Sequence, residues 1–324
     1  MKKAIYRQHG NAAEVIEIID AEPQALEPGQ SRVKILRSPI NPSDIVQIAG
    51  QYGIQPDMPA AAGMEGIGEV VEVNGDGHEI GTLVLLADPP GAWASERVFP
   101  TEVLVPVPRA DIDQLAMLTV NPATAYLLLT EYVDLKEGDW IIQSAANSAV
   151  GRYVTQLAKS RGINVASVVR RETAIPDVKD AGCDAAFVDG PDLAERVEAE
   201  LDKAPVLAID AVAGDAFGRL IATLAHGGTA VSYGGMSGEP LIIPDGNIIF
   251  NNVSVRGFWL VNWFTNAGPD EIKRVYGELT ELVLSGQLNA PIDKIFTLDQ
   301  ITDALAHTVA GGRSGKVLLA PNGI

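Results

Sequence analysis

The chain has 324 residues, about two domains at roughly 150 residues each, and its 47% hydrophobic against 20% charged content excludes a mainly disordered polymer. Lys and Arg number 24 against 42 Asp and Glu, a formal charge of −18 with no basic run to offset it, which argues against nucleic acid as a partner because phosphate neutralisation dominates such binding. The single cysteine, Cys183, excludes an internal disulfide, and His9, His78, His226 and His307 lie far apart without metal-ligand spacing.

The first ten residues, Met1-Lys2-Lys3-Ala4-Ile5-Tyr6-Arg7-Gln8-His9-Gly10, turn polar too soon for the core of a signal peptide. The apolar stretch over 116–133 is broken by Asn121, Pro122, Thr124 and Glu131 and falls short of a membrane span. A cytoplasmic protein without a membrane partner is expected. Glu14-Val15-Ile16-Glu17-Ile18-Ile19, Arg32-Val33-Lys34-Ile35-Leu36-Arg37 and Gly68-Glu69-Val70-Val71-Glu72-Val73 are short, β-branched and partly alternating, which predicts strands of a barrel or sandwich-like lobe.

After about residue 115 the pattern changes. Strands are predicted at Trp140-Ile141-Ile142-Gln143, Asn164-Val165-Ala166-Ser167-Val168-Val169, Ala185-Ala186-Phe187-Val188, Val206-Leu207-Ala208-Ile209-Asp210 and Thr229-Ala230-Val231-Ser232-Tyr233. Helices over 151–160, 193–202 and 216–224 separate most of them, the succession that a doubly wound nucleotide-binding sheet requires. A further amphipathic helix over 270–285 and a closing strand, Ser314-Gly315-Lys316-Val317-Leu318-Leu319, follow.

Ser144-Ala145-Ala146-Asn147-Ser148-Ala149-Val150-Gly151 links the first of these strands to a helix with Val150, Val154, Leu157 and Ala158 at helical spacing. A pyrophosphate is expected there, because small residues admit the backbone to the phosphates and a helix N-terminus offers unpaired N–H groups. The loop departs from G-x-G-x-x-G, with Ala145 and Ser148 where glycine is usual and only Gly151 kept. A tight turn that binds nothing is the alternative. Arg170 and Arg171 stand 19 and 20 residues beyond Gly151, where an acid would hold a ribose 2′-hydroxyl and an arginine accommodates a 2′-phosphate. They point to NADPH, the alternative being a solvated charge pair at a strand end.

Taken together, Ile40-Asn41-Pro42-Ser43-Asp44-Ile45, Gly50-Gln51-Tyr52, Ala62-Gly63-Met64-Glu65-Gly66-Ile67-Gly68, Val120-Asn121-Pro122-Ala123-Thr124-Ala125-Tyr126, Gly138-Asp139-Trp140-Ile141-Ile142-Gln143 and the loop ending at Gly151 make the sequence resemble the medium-chain dehydrogenase/reductase superfamily. The similarity is to its zinc-less quinone-reductase and 2-enoyl-thioester-reductase branch and covers essentially the full length. The resemblance implies an α/β fold: a GroES-like, β-rich catalytic domain from 1–119 and 284–324, and a Rossmann domain, a doubly wound parallel sheet, from 120–283, with the active site between them. Zinc-dependent relatives carry Cys near Asn41 and a Gly-His-Glu triplet where this chain has Gly63-Met64-Glu65, so no metal is expected.

What the resemblance further implies is hydride transfer from NADPH to a C=C conjugated with a carbonyl, in a 2-enoyl thioester or an enone. Tyr52 matches the proposed proton donor, a half-buried loop tyrosine with a structural hydrogen bond being its alternative, and Asn41 would hold the nicotinamide or the substrate carbonyl, turn chemistry being its alternative. Thr124, Asn147, Ser148, Ala149, Val150, Gly151, Arg170, Arg171, Tyr233, Gly234 and Lys316 fall where relatives contact the cofactor. Phe258 and Trp259 match the acyl pocket, and core packing is equally open to them. A solvated strand position is the alternative for Lys316. The apolar run at 240–257 matches the region where relatives pair two subunits, so a homodimer through the edge strands of the Rossmann domain is expected. Two other functions remain open: an NADPH:quinone oxidoreductase, and a non-catalytic NADPH-binding protein.

Overall fold

The computed structural model describes residues 1–86, 91–310, 312 and 314–324. The chain divides into two compact units, one of Met1–Val120 with Glu278–Ile324 and one of Asn121–Gly277. The second crossing falls inside the continuous helix Pro269–Leu284, a few residues before the helix end where the sequence placed it.

In the first unit, the long strand Gln30–Pro39 organises a sheet that runs, among the described residues, Ile292–Thr297, Lys316–Ala320, Gln30–Pro39, Gly66–Asn74, Leu83–Leu86, Val105–Val107, with Glu96–Pro100 also on Gln30–Pro39. Strand Lys316–Ala320 comes from the far end of the chain, and Leu318 faces Pro39 across the ladder. Of the strand expected over 14–19, residues 16–19 lie in the strand Ile16–Asp20, and only Glu14 and Val15 belong instead to a short helix, Ala12–Val15. Asn11 supplies the reason: its Oδ1 accepts from the N–H of Ala13 at 3.1 Å and starts the helix. Trp93, fully buried, fills the core beneath Tyr6, Ile40 and Leu319.

Gly63 stands at φ +95, and a Cβ there would lie 2.6 Å from the backbone N of Trp93, so the turn before Gly66–Asn74 accepts only glycine. The helix Pro42–Ile48 starts with Asn41 as N-cap and Pro42 in its first turn, the place where a missing N–H costs nothing. Its third residue, Asp44, reaches back so that Oδ2 accepts from the Asn41 N–H at 2.8 Å.

The second unit is a six-stranded parallel sheet in the order Ala185–Val188, Asn164–Val169, Trp140–Gln143, Leu207–Asp210, Thr229–Ser232, Ser254–Gly257. All five of the predicted strands match to within one residue at each end. Their runs are short, apolar and bounded by turn residues, and such strands are buried on both faces. Ile142, Ala166 and Ala208 pack with Phe217, Leu220 and Phe187 in one core, each large side chain contributing about 1.5–3 kcal/mol by leaving water. The order reverses at Trp140–Gln143, whose neighbours lead to opposite edges; this is the switch point where open α/β sheets bind ligands. Tyr233 is not part of its predicted strand but follows Thr229–Ser232. No helix among the described residues is long and apolar enough to cross a membrane.

Candidate active site

Most of the sequence-predicted cofactor residues lie at the carboxyl ends of the parallel strands. The loop after Trp140–Gln143 leads into the helix Ala149–Ser160, and Ser148 caps it, its Oγ accepting from the Gly151 N–H at 3.1 Å. Gly151 is required by proximity: a Cβ would lie 2.5 Å from the carbonyl oxygen of Ala146. Ala145 holds φ 47, the left-handed conformation that glycine adopts freely, so alanine replaces a glycine here at a cost of about 1–2 kcal/mol. Asn147 is exposed, and Ala149 and Val150 are half-buried at the helix entrance.

Arg170 and Arg171 directly follow the strand Asn164–Val169, are both exposed, and form no ion pair with a described residue. Tyr233 and Gly234 follow Thr229–Ser232; the Tyr233 N–H donates to the carbonyl of Asp210 at 2.8 Å. Burial pushes the pKa of its hydroxyl up, and Ser148 draws it back. Phe258 and Trp259 extend the edge strand Ser254–Gly257 and are half-buried, and Phe258 meets Tyr132 edge-on at 6.5 Å. Thr124 is buried in the helix Asn121–Thr130.

A network that sequence reasoning missed ties these loops together. Ser144 Oγ donates to Asp210 Oδ1 at 2.6 Å and accepts from the Ala211 N–H at 3.0 Å, while Asp210 Oδ2 accepts from the Ala213 N–H at 2.8 Å. Burial raises the pKa of Asp210 and these donors pull it back. The bonds join the two loops that flank the switch point, and the only sequence signal is an acid closing an otherwise apolar strand.

In the first unit, Asn41 and Lys316 come together. Lys316 is 6% exposed, which removes the solvated-strand alternative, and its Nζ donates to Asn41 Oδ1 at 2.5 Å and to the Ile40 carbonyl at 3.1 Å. Asn41 Nδ2 donates to Glu65 Oε1 at 2.6 Å, and Glu65 Oε2 accepts from Thr119 Oγ at 2.8 Å and the Val120 N–H at 2.9 Å. Asp44 Oδ1 accepts from the Met64 N–H at 2.9 Å. Burial pushes Glu65 up to about 7 and Asp44 up to about 6, with Lys316 drawing both back. Tyr52 lies half-buried in the loop beyond Pro42–Ile48, where its carbonyl accepts from Gln55 Nε2 at 2.6 Å. Glu65, Asp44 and Thr119 are absent from the sequence-derived site; a carboxylate set among small residues, Ala60-Ala61-Ala62-Gly63-Met64-Glu65-Gly66, is the signal that could have found Glu65.

A β-rich unit and a parallel-sheet unit with a tight strand-to-helix loop at its switch point are the units expected of a nucleotide-dependent oxidoreductase. Residues 27–109 match the alcohol dehydrogenase GroES-like domain and 149–280 the zinc-binding dehydrogenase family. The mitochondrial enoyl-[acyl-carrier-protein] reductases of Rattus norvegicus and Homo sapiens are 37% and 36% identical, each over 98% of this chain and 88% of theirs. A putative NADPH:quinone reductase from Bacillus thuringiensis superposes with TM-score 0.90 at 26% identity over 98% of both chains. The Etr1p/NADP/crotonyl-CoA complex does so with TM-score 0.89 at 26% identity, over 98% of this chain and 99% of that one. The chain belongs to the medium-chain dehydrogenase/reductase family of oxidoreductases, in the branch of the enoyl and quinone reductases.

One matching family model carries zinc in its description. Asn41 does not suit that ion: its Oδ1 accepts from the Lys316 ammonium and its Nδ2 donates to Glu65. Among the described residues no group of three or more His, Cys, Asp and Glu could hold a metal.

Proposed function

We propose that the protein is an NADPH-dependent, zinc-independent reductase of C=C bonds conjugated to a carbonyl, acting on a 2-enoyl thioester or an enone. The observation that carries this reading is the 37% identity, over 98% of the chain, to a mitochondrial enoyl-[acyl-carrier-protein] reductase. Two features fit the cofactor: a strand-to-helix loop held tight against Ala146 by Gly151, with helix N–H groups at its end, and an exposed arginine pair with no carboxylate partner among the described residues. When bound, NADPH supplies the hydride. Arg170 and Arg171 hold the 2′-phosphate, and the N–H groups opening the helix Ala149–Ser160 take the pyrophosphate with Ser148. Tyr233 and Gly234 present backbone to the ribose, with Thr124 beside the cofactor. Reduction at the β-carbon places negative charge on the carbonyl oxygen, which Asn41 and Lys316 offset, and the Tyr52 hydroxyl delivers the proton at the α-carbon. Phe258 and Trp259 line the acyl side.

The B. thuringiensis neighbour supports a second reading, quinone reduction. Tyr52→Phe separates them. A quinone draws little on a positioned proton donor, so the variant should lose about 10²–10⁴-fold in enoyl turnover and keep quinone turnover. Equal loss of both, or loss of neither, removes Tyr52 from the role of proton donor. The reading includes a homodimer through the edge strand Ser254–Gly257, next to which Ile249 and Phe250 are 66% and 82% exposed.

A further inference from the structure

We propose that Glu65 is a positioning residue: its buried carboxylate fixes the side-chain amide of Asn41 in one orientation and, through that amide, the ammonium of Lys316, so that the two act as one preset pair. The proposal rests on the reductase reading, in which Asn41 and Lys316 serve the reaction.

Glu65 is fully buried, and its two oxygens accept one side-chain bond from Asn41 and two bonds from the Thr119–Val120 segment. Its own carbonyl accepts from Ser38 Oγ at 2.6 Å, which ties its backbone to the strand Gln30–Pro39. An ionised carboxylate can only accept. The end of the Asn41 amide that faces Glu65 must therefore be its NH₂, which leaves Oδ1 toward Lys316 Nζ. The reversed amide would set a donor against an ammonium and an oxygen against a carboxylate. Charged groups gathered here among the described residues include Lys316 from the strand Lys316–Ala320, which acts on both carboxylates, and Asp44 from the helix Pro42–Ile48. Protonating Glu65 removes the charge that holds the Asn41 NH₂, and a proton on Oε1 would set a donor against it.

The test compares the intact wild-type protein with Glu65→Gln and Thr119→Val. In Glu65→Gln one end of the side chain becomes a donor, so either Asn41 or the Thr119–Val120 pair loses its acceptor. The variant is expected to melt cooperatively yet lose about tenfold in kcat/KM for NADPH, the worth of one hydrogen bond to a charged group. The wild-type profile should fall on the acid side of about pH 7, and that limb should be missing in Glu65→Gln. Thr119→Val keeps the carboxylate but removes a bond favouring its ionised form, so the acid limb should move to higher pH. Wild-type kcat/KM and profile in Glu65→Gln, or a Thr119→Val profile superimposable on wild type, overturns the proposal; if Glu65→Gln does not fold, Thr119→Val decides.

The ¹H–¹⁵N signals of the Asn41 side-chain amide supply a readout that needs no turnover. They should titrate with Glu65 in the wild type and cease to do so in Glu65→Gln. A protein that binds no NADPH counts against the reductase reading, whereas an Asn41 amide indifferent to pH counts against Glu65.

Discussion

Lys316, near the end of the chain, donates its ammonium to the side-chain oxygen of Asn41 across 275 positions at 2.5 Å. Two residues picked out separately in the sequence are thus one unit, made possible because the closing strand Lys316–Ala320 pairs with Gln30–Pro39. The Asn41 amide spans the ammonium and the Glu65 carboxylate, so the charges are linked by a neutral group inside the fold. A buried cation is tolerated when it is paired and hydrogen-bonded in this way.

Removing one acceptor from this region should show in its pH dependence. Asp44 accepts from the N–H groups of Asn41 and Met64 with different oxygens, and Asp44→Asn leaves one facing an amide donor. The expected cost is about 1–3 kcal/mol. Burial lifts Asp44 from 3.8 to about 6, so the folded wild type holds this proton more tightly than the unfolded chain and loses the associated stability as pH rises through that window. The deficit of Asp44→Asn is therefore greatest below pH 3.8 and narrows by about pH 6 in urea melts; a deficit that widens with pH contradicts the assignment.

Gly151→Ala should damage the cofactor loop directly. The new Cβ would sit 2.5 Å from the Ala146 carbonyl oxygen and force the helix away from its loop. Overpacking of this kind costs about 1–3 kcal/mol, and NADPH affinity measured by fluorescence titration should fall with it. Unchanged stability and affinity would mean that the loop has room the structure does not show.

The strands of the second unit were legible because each is a short apolar run closed by turn residues. The helix Asn121–Thr130 was not, since it is buried nearly all round and offers no amphipathic stripe to read. The helix Ala12–Val15 was hidden because it is a single turn whose last residues, Glu14 and Val15, run on into the apolar strand Ile16–Asp20, and Asn11 caps it. The tight loop that places Gly151 against Ala146 was legible in its run of small residues, and the exposure of the arginine pair in its place at a strand end. Glu65 and Asp210 were illegible because their importance lies in burial and in donors brought from distant segments.

The arginine pair predicts a cofactor preference. Replacing Arg170 and Arg171 by Ser should raise KM for NADPH by about 10–100-fold, the range for losing charge-assisted bonds to a phosphate, and leave KM for NADH nearly unchanged. Steady-state rates with both cofactors check this. Equal changes for NADPH and NADH would place the 2′-phosphate elsewhere.

The edge strand Ser254–Gly257 predicts an oligomer. Among the described residues it is paired on one side only, by Thr229–Ser232, and Phe250 nearby is 82% exposed. Exposed apolar edges of this kind recruit a partner. The wild type should sediment at twice its chain mass, and Ile249→Asp with Phe250→Asp at the chain mass; a wild-type monomer at micromolar concentration contradicts the dimer.

The most direct test is NADPH oxidation by the purified protein with crotonyl thioester, a simple enone and a benzoquinone side by side, with NADH as the control. The account predicts turnover of the thioester or the enone with NADPH far ahead of NADH. Turnover of the quinone alone, or tight NADPH binding without oxidation by any of the three, would contradict it.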